Sequence, residues 1–163
     1  MSSIPSIVYP THNSSIGNIN ANIIALLAYL IPVLLGGSPA LKYVVWLAPL
    51  VMYFIEKDSG LVKFHAMQAF VLNLIGNAFN YLVSVVISGI FLLNPSIYSN
   101  NIGSLLTLGI SGIISLMLGL ITFGISAAVF ILSIIAMIKA YKYSEFEIPF
   151  INLISDKIKQ YLK

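Results

Sequence analysis

Few side chains in this sequence could do chemistry, and they crowd one stretch: Glu56, Lys57, Asp58, Ser59, Lys63, His65 and Gln68. Glu56, Asp58 and His65 are residue types that ligate metals. A metal site needs such ligands at recurring spacings, and no His-x-x-x-His or paired His–carboxylate spacing occurs. A serine nucleophile needs a base and an orienting acid. His65 is the one histidine in the apolar part of the chain, and Gly-x-Ser-x-Gly is absent. Phosphate-cradling glycine loops are absent as well. With no cysteine, thiolate metal sites, a cysteine nucleophile and disulfides are all excluded. The expectation is therefore no catalytic residue, no metal and no cofactor.

The elements around this stretch are membrane segments. The 163 residues are 59% hydrophobic and 8% charged, whereas a soluble domain carries about 25% charged residues. Too little polar surface remains to coat a water-facing globule. The net charge of +3 comes from eight lysines and five acids. That balance lacks the clustered basic footprint of a nucleic-acid binder. Placement says more than the total. Residues 1–41 and 64–138 carry no Lys, Arg, Asp or Glu. Charge is confined to Lys42, the Glu56–Lys63 turn and the region from Lys139 onward.

Residues 1–22 are rich in Ser, Asn, Ile and Pro and lack the basic start and apolar core of a signal peptide. They are expected to form a flexible arm in which His12 is simply solvated. A transmembrane bundle is expected over 23–143 and a cytoplasmic amphipathic tail over 144–163. Within the bundle, Asn22–Leu35 and Leu41–Ile55 are apolar and flank Gly36-Gly37-Ser38-Pro39. Each arm is short against the roughly 20 residues of a spanning helix. Two short spans are favoured; a re-entrant hairpin shielded by other helices is the alternative. Tyr43, Trp46 and Tyr53 suit aromatic belts at the membrane surface. Asp58 or Ser59 can cap the next helix, Leu61–Leu93. Asn94-Pro95-Ser96 ends it, and Tyr98–Asn101 continues a polar loop. Leu105–Tyr141 comes next, with a bend or break expected near Gly119 and Gly124; whether it crosses once or twice stays open. Lysine-rich short loops face the cytoplasm, so one crossing here gives four spans with both termini cytoplasmic. Beyond Tyr143, Ile151, Ile154, Ile158, Tyr161 and Leu162 recur at helical spacing, as in a helix lying on the cytoplasmic leaflet.

Inside the apolar helices two polar stripes recur. Asn73, Asn77, Asn80, Ser84 and Ser88 share one helix face, with Gln68 nearer the turn. Thr107, Ser111, Ser115 and Gly119 stand four residues apart. Small and polar side chains in membrane helices serve close packing and interhelical hydrogen bonds. An amide facing lipid is costly, so both stripes are expected to point inward. At the turn, Glu56, Lys57, Asp58 and Lys63 are expected to pair among themselves. His65 and Gln68 need partners from a backbone carbonyl or from the preceding span.

Leu27-Ala28-Tyr29-Leu30, Glu56-Lys57-Asp58, Val62-Lys63-Phe64-His65-Ala66-Met67-Gln68-Ala69-Phe70 and Ile138-Lys139-Ala140 carry a resemblance. The pattern resembles a family of small bacterial and archaeal membrane proteins of unknown function (DUF4870). It is similar to the Tic-twenty-like subunit of the chloroplast inner-envelope import translocon. The resemblance covers residues 24–154 and implies four helices with both termini cytoplasmic or stromal. It assigns Glu56, Lys57, Asp58, Lys63, His65, Gln68 and Lys139 as motif positions without a catalytic role. Lys63 stands where that family has arginine, and Phe70 where it has leucine.

The expected protein is an all-α, multi-pass bundle in the cell membrane that acts without catalysis. As a scaffold or a translocation or assembly component, it would bind another membrane or exported polypeptide through its Asn/Ser face. Its partners would be the lipid bilayer, such a polypeptide and further copies of itself. The alternative is a channel or carrier for a small neutral or anionic solute, lined by the same face.

Overall fold

A computed structural model describes residues 7–94, 101–148 and 150–162. The loop expected at 95–100 therefore lies outside the described residues. Helix α1 is Ala21–Leu35, and a 3-10 turn at Val45–Leu47 leads into α2, Ala48–Ile55. Helices α3, Gly60–Leu92, and α4, Ile102–Tyr141, are the long elements, and α5 is Ile151–Tyr161. No strand is assigned among the described residues; two isolated bridges join Val8 to Ser144 and Asn13 to Asn20. The all-helical expectation is met.

Residue chemistry explains the boundaries. Asn20 precedes α1, and Gly36 closes it by donating its amide to the Pro32 carbonyl at 2.9 Å. Pro49 occupies the first turn of α2, where its missing N–H costs nothing. Ser59 caps α3 through Val62 N–H to Ser59 Oγ, 3.2 Å, settling the choice between Asp58 and Ser59. Helix α4 runs through Gly119 and Gly124 uninterrupted, so of the expected bend or break there is no break. A glycine in a membrane helix breaks nothing when the backbone has no other partner to turn to. Helix α4 ends in a Schellman turn: Ser144 N–H reaches the Lys139 carbonyl and Tyr143 N–H the Ala140 carbonyl. Tyr143 takes the left-handed position at φ 56°, where glycine is usual.

Helix length limits what can span. At 1.5 Å per residue, α1 is about 22 Å long and α2 about 12 Å, against a hydrocarbon core of about 30 Å. Helices α3, 33 residues, and α4, 40 residues, are long and apolar enough to cross. The chain is a membrane protein with two such helices and a shorter helical pair, α1 and α2.

Two compact units are present, Met1–Leu74 with Val129–Lys163 and Ile75–Ala128. In the first, Ala28, Tyr29, Ala66, Ala69 and Ala136 bring α1, α3 and α4 into contact. Alanines here permit a close backbone approach. Ile151, Ile154 and Ile158 of α5 pack against Met67, Phe70 and Val71. The side of α5 that carries these isoleucines is thus turned to the protein, while Leu153 and Leu162 are exposed and Tyr161 is 90% exposed. In the second unit, Leu82, Val85, Leu105, Leu116 and Phe123 are exposed, as lipid-facing side chains are. That unit also has an open groove of about 420 Å³ lined by Gly89, Ile90, Asn94, Thr107 and Ser111.

Ala69 is fully buried in the three-helix contact. Ala69→Leu should overpack it and cost about 1–3 kcal/mol, read as a lowered melting temperature in detergent. Ala128→Leu, at an exposed position, is the control.

Candidate functional site

The residues picked out by type converge in the first unit, on two linked polar clusters. The deeper one is built on α3. His65 is fully buried and Gln68 is 1% exposed. Gln68 Nε2 donates to the Phe146 carbonyl at 2.6 Å and to Asn152 Oδ1 at 2.8 Å. Both its N–H groups are thereby spent, which fixes the amide orientation. Its Oε1 accepts the Tyr29 hydroxyl at 2.6 Å. His65 Nε2 stands 3.2 Å from the Ser144 carbonyl. A carbonyl only accepts, so this nitrogen carries the proton. Nδ1 then faces the Tyr29 hydroxyl at 3.1 Å. One glutamine and one histidine, one turn apart, thus tie α1, α5 and the segment after α4 onto α3. The two carbonyls reach α3 because the left-handed Tyr143 turns the chain back.

The second cluster surrounds Glu56, 1% exposed. Its Oε1 accepts from the Ser15 amide (3.1 Å), Ser15 Oγ (2.7 Å) and the Lys57, Asp58 and Ser59 amides at 3.1, 3.0 and 2.9 Å. Ser14 Oγ donates to Oε2. Burial alone would raise this carboxyl. The bonds from Ser14, the Ser59 amide, Ser15 and the Asp58 amide outweigh it and bring it from 4.5 down to about 2. Around it the described part of the arm is tied down. Tyr9 N–H bonds the Tyr143 carbonyl, Glu145 N–H bonds the Ile7 carbonyl, and the Tyr9 hydroxyl donates to Glu145 Oε1 at 2.7 Å. Burial, with Glu145 adding to it, pushes Tyr9 up to about 12.

Several expectations change here. Glu56, Lys57, Asp58 and Lys63 do not pair among themselves. Glu56 is enclosed by neutral donors, and Lys63 Nζ reaches the Lys57 carbonyl at 3.1 Å. Exposed ion pairs gain at most about 1 kcal/mol in water, less than a buried carboxylate gains from several directed donors. The ion pair found among the described residues is Lys159 with Asp156, 3.1 Å. His12 is not merely solvated: Nδ1 donates to the Pro10 carbonyl at 2.8 Å, and Nε2 lies 2.7 Å from Ser59 Oγ. Ser59 Oγ also accepts the Val62 N–H, so this contact ties the arm to the cap of α3. Lys139 is half-buried near the end of α4.

The polar stripes are used piecemeal. Asn73 Nδ2 donates to the carbonyl of Ala69 on its own helix, 2.8 Å. Asn77, Ser84 and Ser88 are exposed, and Ser111 is buried. Thr107 Oγ1 donates back to Gly103 at 2.9 Å. Asn80 Oδ1 and Ser115 Oγ are enclosed without a hydrogen-bond partner among the described residues. No group of three or more metal-ligating side chains occurs among the described residues. Sequence reasoning places His65 and Gln68 and names the kinds of partner they need. It misses Tyr29, Asn152, Ser14 and Ser15. A tyrosine among alanines and leucines, whose hydroxyl must find a partner, is the signal that marks Tyr29.

A profile of the MamF/MmsF family, described as the magnetosome magnetite crystal formation protein family, matches residues 20–154. No curated protein and no solved structure matches. This match overturns the resemblance to the Tic-twenty-like and DUF4870 proteins, and protein transport falls with it. His65-Ala66-x-Gln68-Ala69 is a physical solution to locking a following segment onto a buried helix, so a likeness in it does not identify a family.

Gln68→Leu should leave the Phe146 carbonyl and Asn152 Oδ1 without their donor, at about 1–3 kcal/mol for each group. Its check is thermal unfolding in detergent, where Asn73→Leu should cost much less. For Glu56 the folded value lies below the unfolded one. Its stabilisation is therefore complete above about pH 4.5 and is lost as pH falls toward 2. The protection factors of the Ser15 and Ser59 amides, taken against the intrinsic exchange rate at each pH, should fall across that window and stay level in Glu56→Gln.

Proposed function

The chain belongs to the magnetosome magnetite crystal formation protein family, and from that premise we propose a non-catalytic scaffold in the membrane around the growing crystal. The lysines flanking the Glu56–Lys63 turn and those from Lys139 onward would share the cytoplasmic side. The observation that carries the scaffold reading is how the buried polar groups are used. Gln68 spends both N–H groups and its carbonyl on Tyr29, Phe146 and Asn152. These groups hold elements in place and leave none of their donors for a substrate. The second unit, Ile75–Ala128, offers a surface of exposed apolar side chains with the exposed polar residues Asn77, Ser84 and Ser88. We place the contact with a neighbouring membrane polypeptide there, since small residues let helices approach closely.

Photo-crosslinkers at Asn77 and Ser115, in membranes isolated around crystals, should capture a defined protein; capture of lipid alone would sink the scaffold reading. In a magnetite-forming host lacking its own copy, the chain should restore crystal formation as seen by electron microscopy. Gln68→Leu should restore less.

A further inference from the structure

Lys42 is the only charged residue in the first 55 positions. It lies in the turn between α1 and the 3-10 turn, and it is exposed. The ion pair found among the described residues does not involve it. Its Nζ rests 4.9 Å from the centroid of the adjacent Tyr43 ring. Around it Leu41, Tyr43, Val44 and Leu47 are exposed, Tyr43 at 72%. Trp46 fixes this turn from beneath. Its Nε1 donates to the Tyr43 carbonyl at 2.8 Å, and its ring stacks on Phe70 of α3 at 5.9 Å.

We propose that this turn is a lipid anchor in which Lys42 binds the phosphate of an anionic phospholipid while Leu41, Tyr43, Val44 and Leu47 enter the acyl region beneath it. The headgroup boundary offers that combination, an anion directly above hydrocarbon. A single cation ringed by large apolar side chains matches it. An acidic protein surface would call for several cations and polar neighbours. Tyr43 adds an amphipathic ring suited to the same depth. The turn enters the boundary already formed, because the Trp46 contacts hold it to α3. The anchor rests on residence in the membrane and is independent of the scaffold reading.

Trp46 is the sole tryptophan of the chain, four positions from Lys42, so its emission reports on the site directly. The full chain in non-ionic detergent should show a saturable emission change on addition of phosphatidylglycerol, and little with phosphatidylcholine. Lys42→Gln should weaken the phosphatidylglycerol response about fivefold, the effect of one lysine at an anionic surface. Lys57→Gln, an exposed lysine elsewhere, should leave it unchanged. Equal responses to the two lipids, an unaltered Lys42→Gln, or an equal loss in Lys57→Gln would each overturn the anchor. Failure of the crystal-formation experiment would not touch it.

Discussion

A medium without water leaves a buried polar group no second choice of partner, and Gln68 shows the consequence. Its amide has two donors to place and its carbonyl one acceptor to fill. Each goes to a different element: Phe146 after α4, Asn152 on α5 and Tyr29 on α1. No hydrophobic contact in the first unit is as directional. Apolar packing favours closeness between α1, α3 and α4, and the alanines permit it. The glutamine, with His65 one turn earlier, selects one register among those the alanines would tolerate.

The same rule shapes the polar end. A carboxylate at the start of α3 could have been left to solvent beside Lys57 and Lys63. Instead Glu56 is enclosed, and the donors enclosing it come from the arm and from the backbone of its own turn. The arm bonds as well to the turn that closes α4, through Tyr9 and Ile7. The arm therefore joins the start of one long helix to the end of the other. The left-handed Tyr143 is tolerated there because its carbonyl holds Tyr9 and its ring lies 5.9 Å from that of His12.

How much is legible in the sequence depends on which forces are local. Confinement of charge, the two long apolar runs, the Ser59 cap and the need of His65 and Gln68 for partners are written in adjacent residues. The partners themselves are not. Asn152 lies 84 positions from Gln68, and Ser144 lies 79 from His65. Glu56 misleads for a similar reason: lysines stand next to it in sequence, while Ser14 and Ser15 stand 42 and 41 positions away. The face of α5 can be found by spacing, but spacing cannot say whether lipid or protein covers it. The unbroken course of α4 escapes sequence reasoning because glycine weighs as a helix breaker in water and loses that weight in lipid.

This division bears on family recognition. The residues that suggest an import subunit are those a polar lock of this kind requires: a histidine and a glutamine one turn apart, flanked by alanines. The match to the crystal-formation family rests on residues 20–154, a length over which no single packing solution dictates the sequence. A short motif with a sufficient physical cause is evidence for the cause. Membership has to be read from the whole length of the match, 20–154, and not from the lock alone.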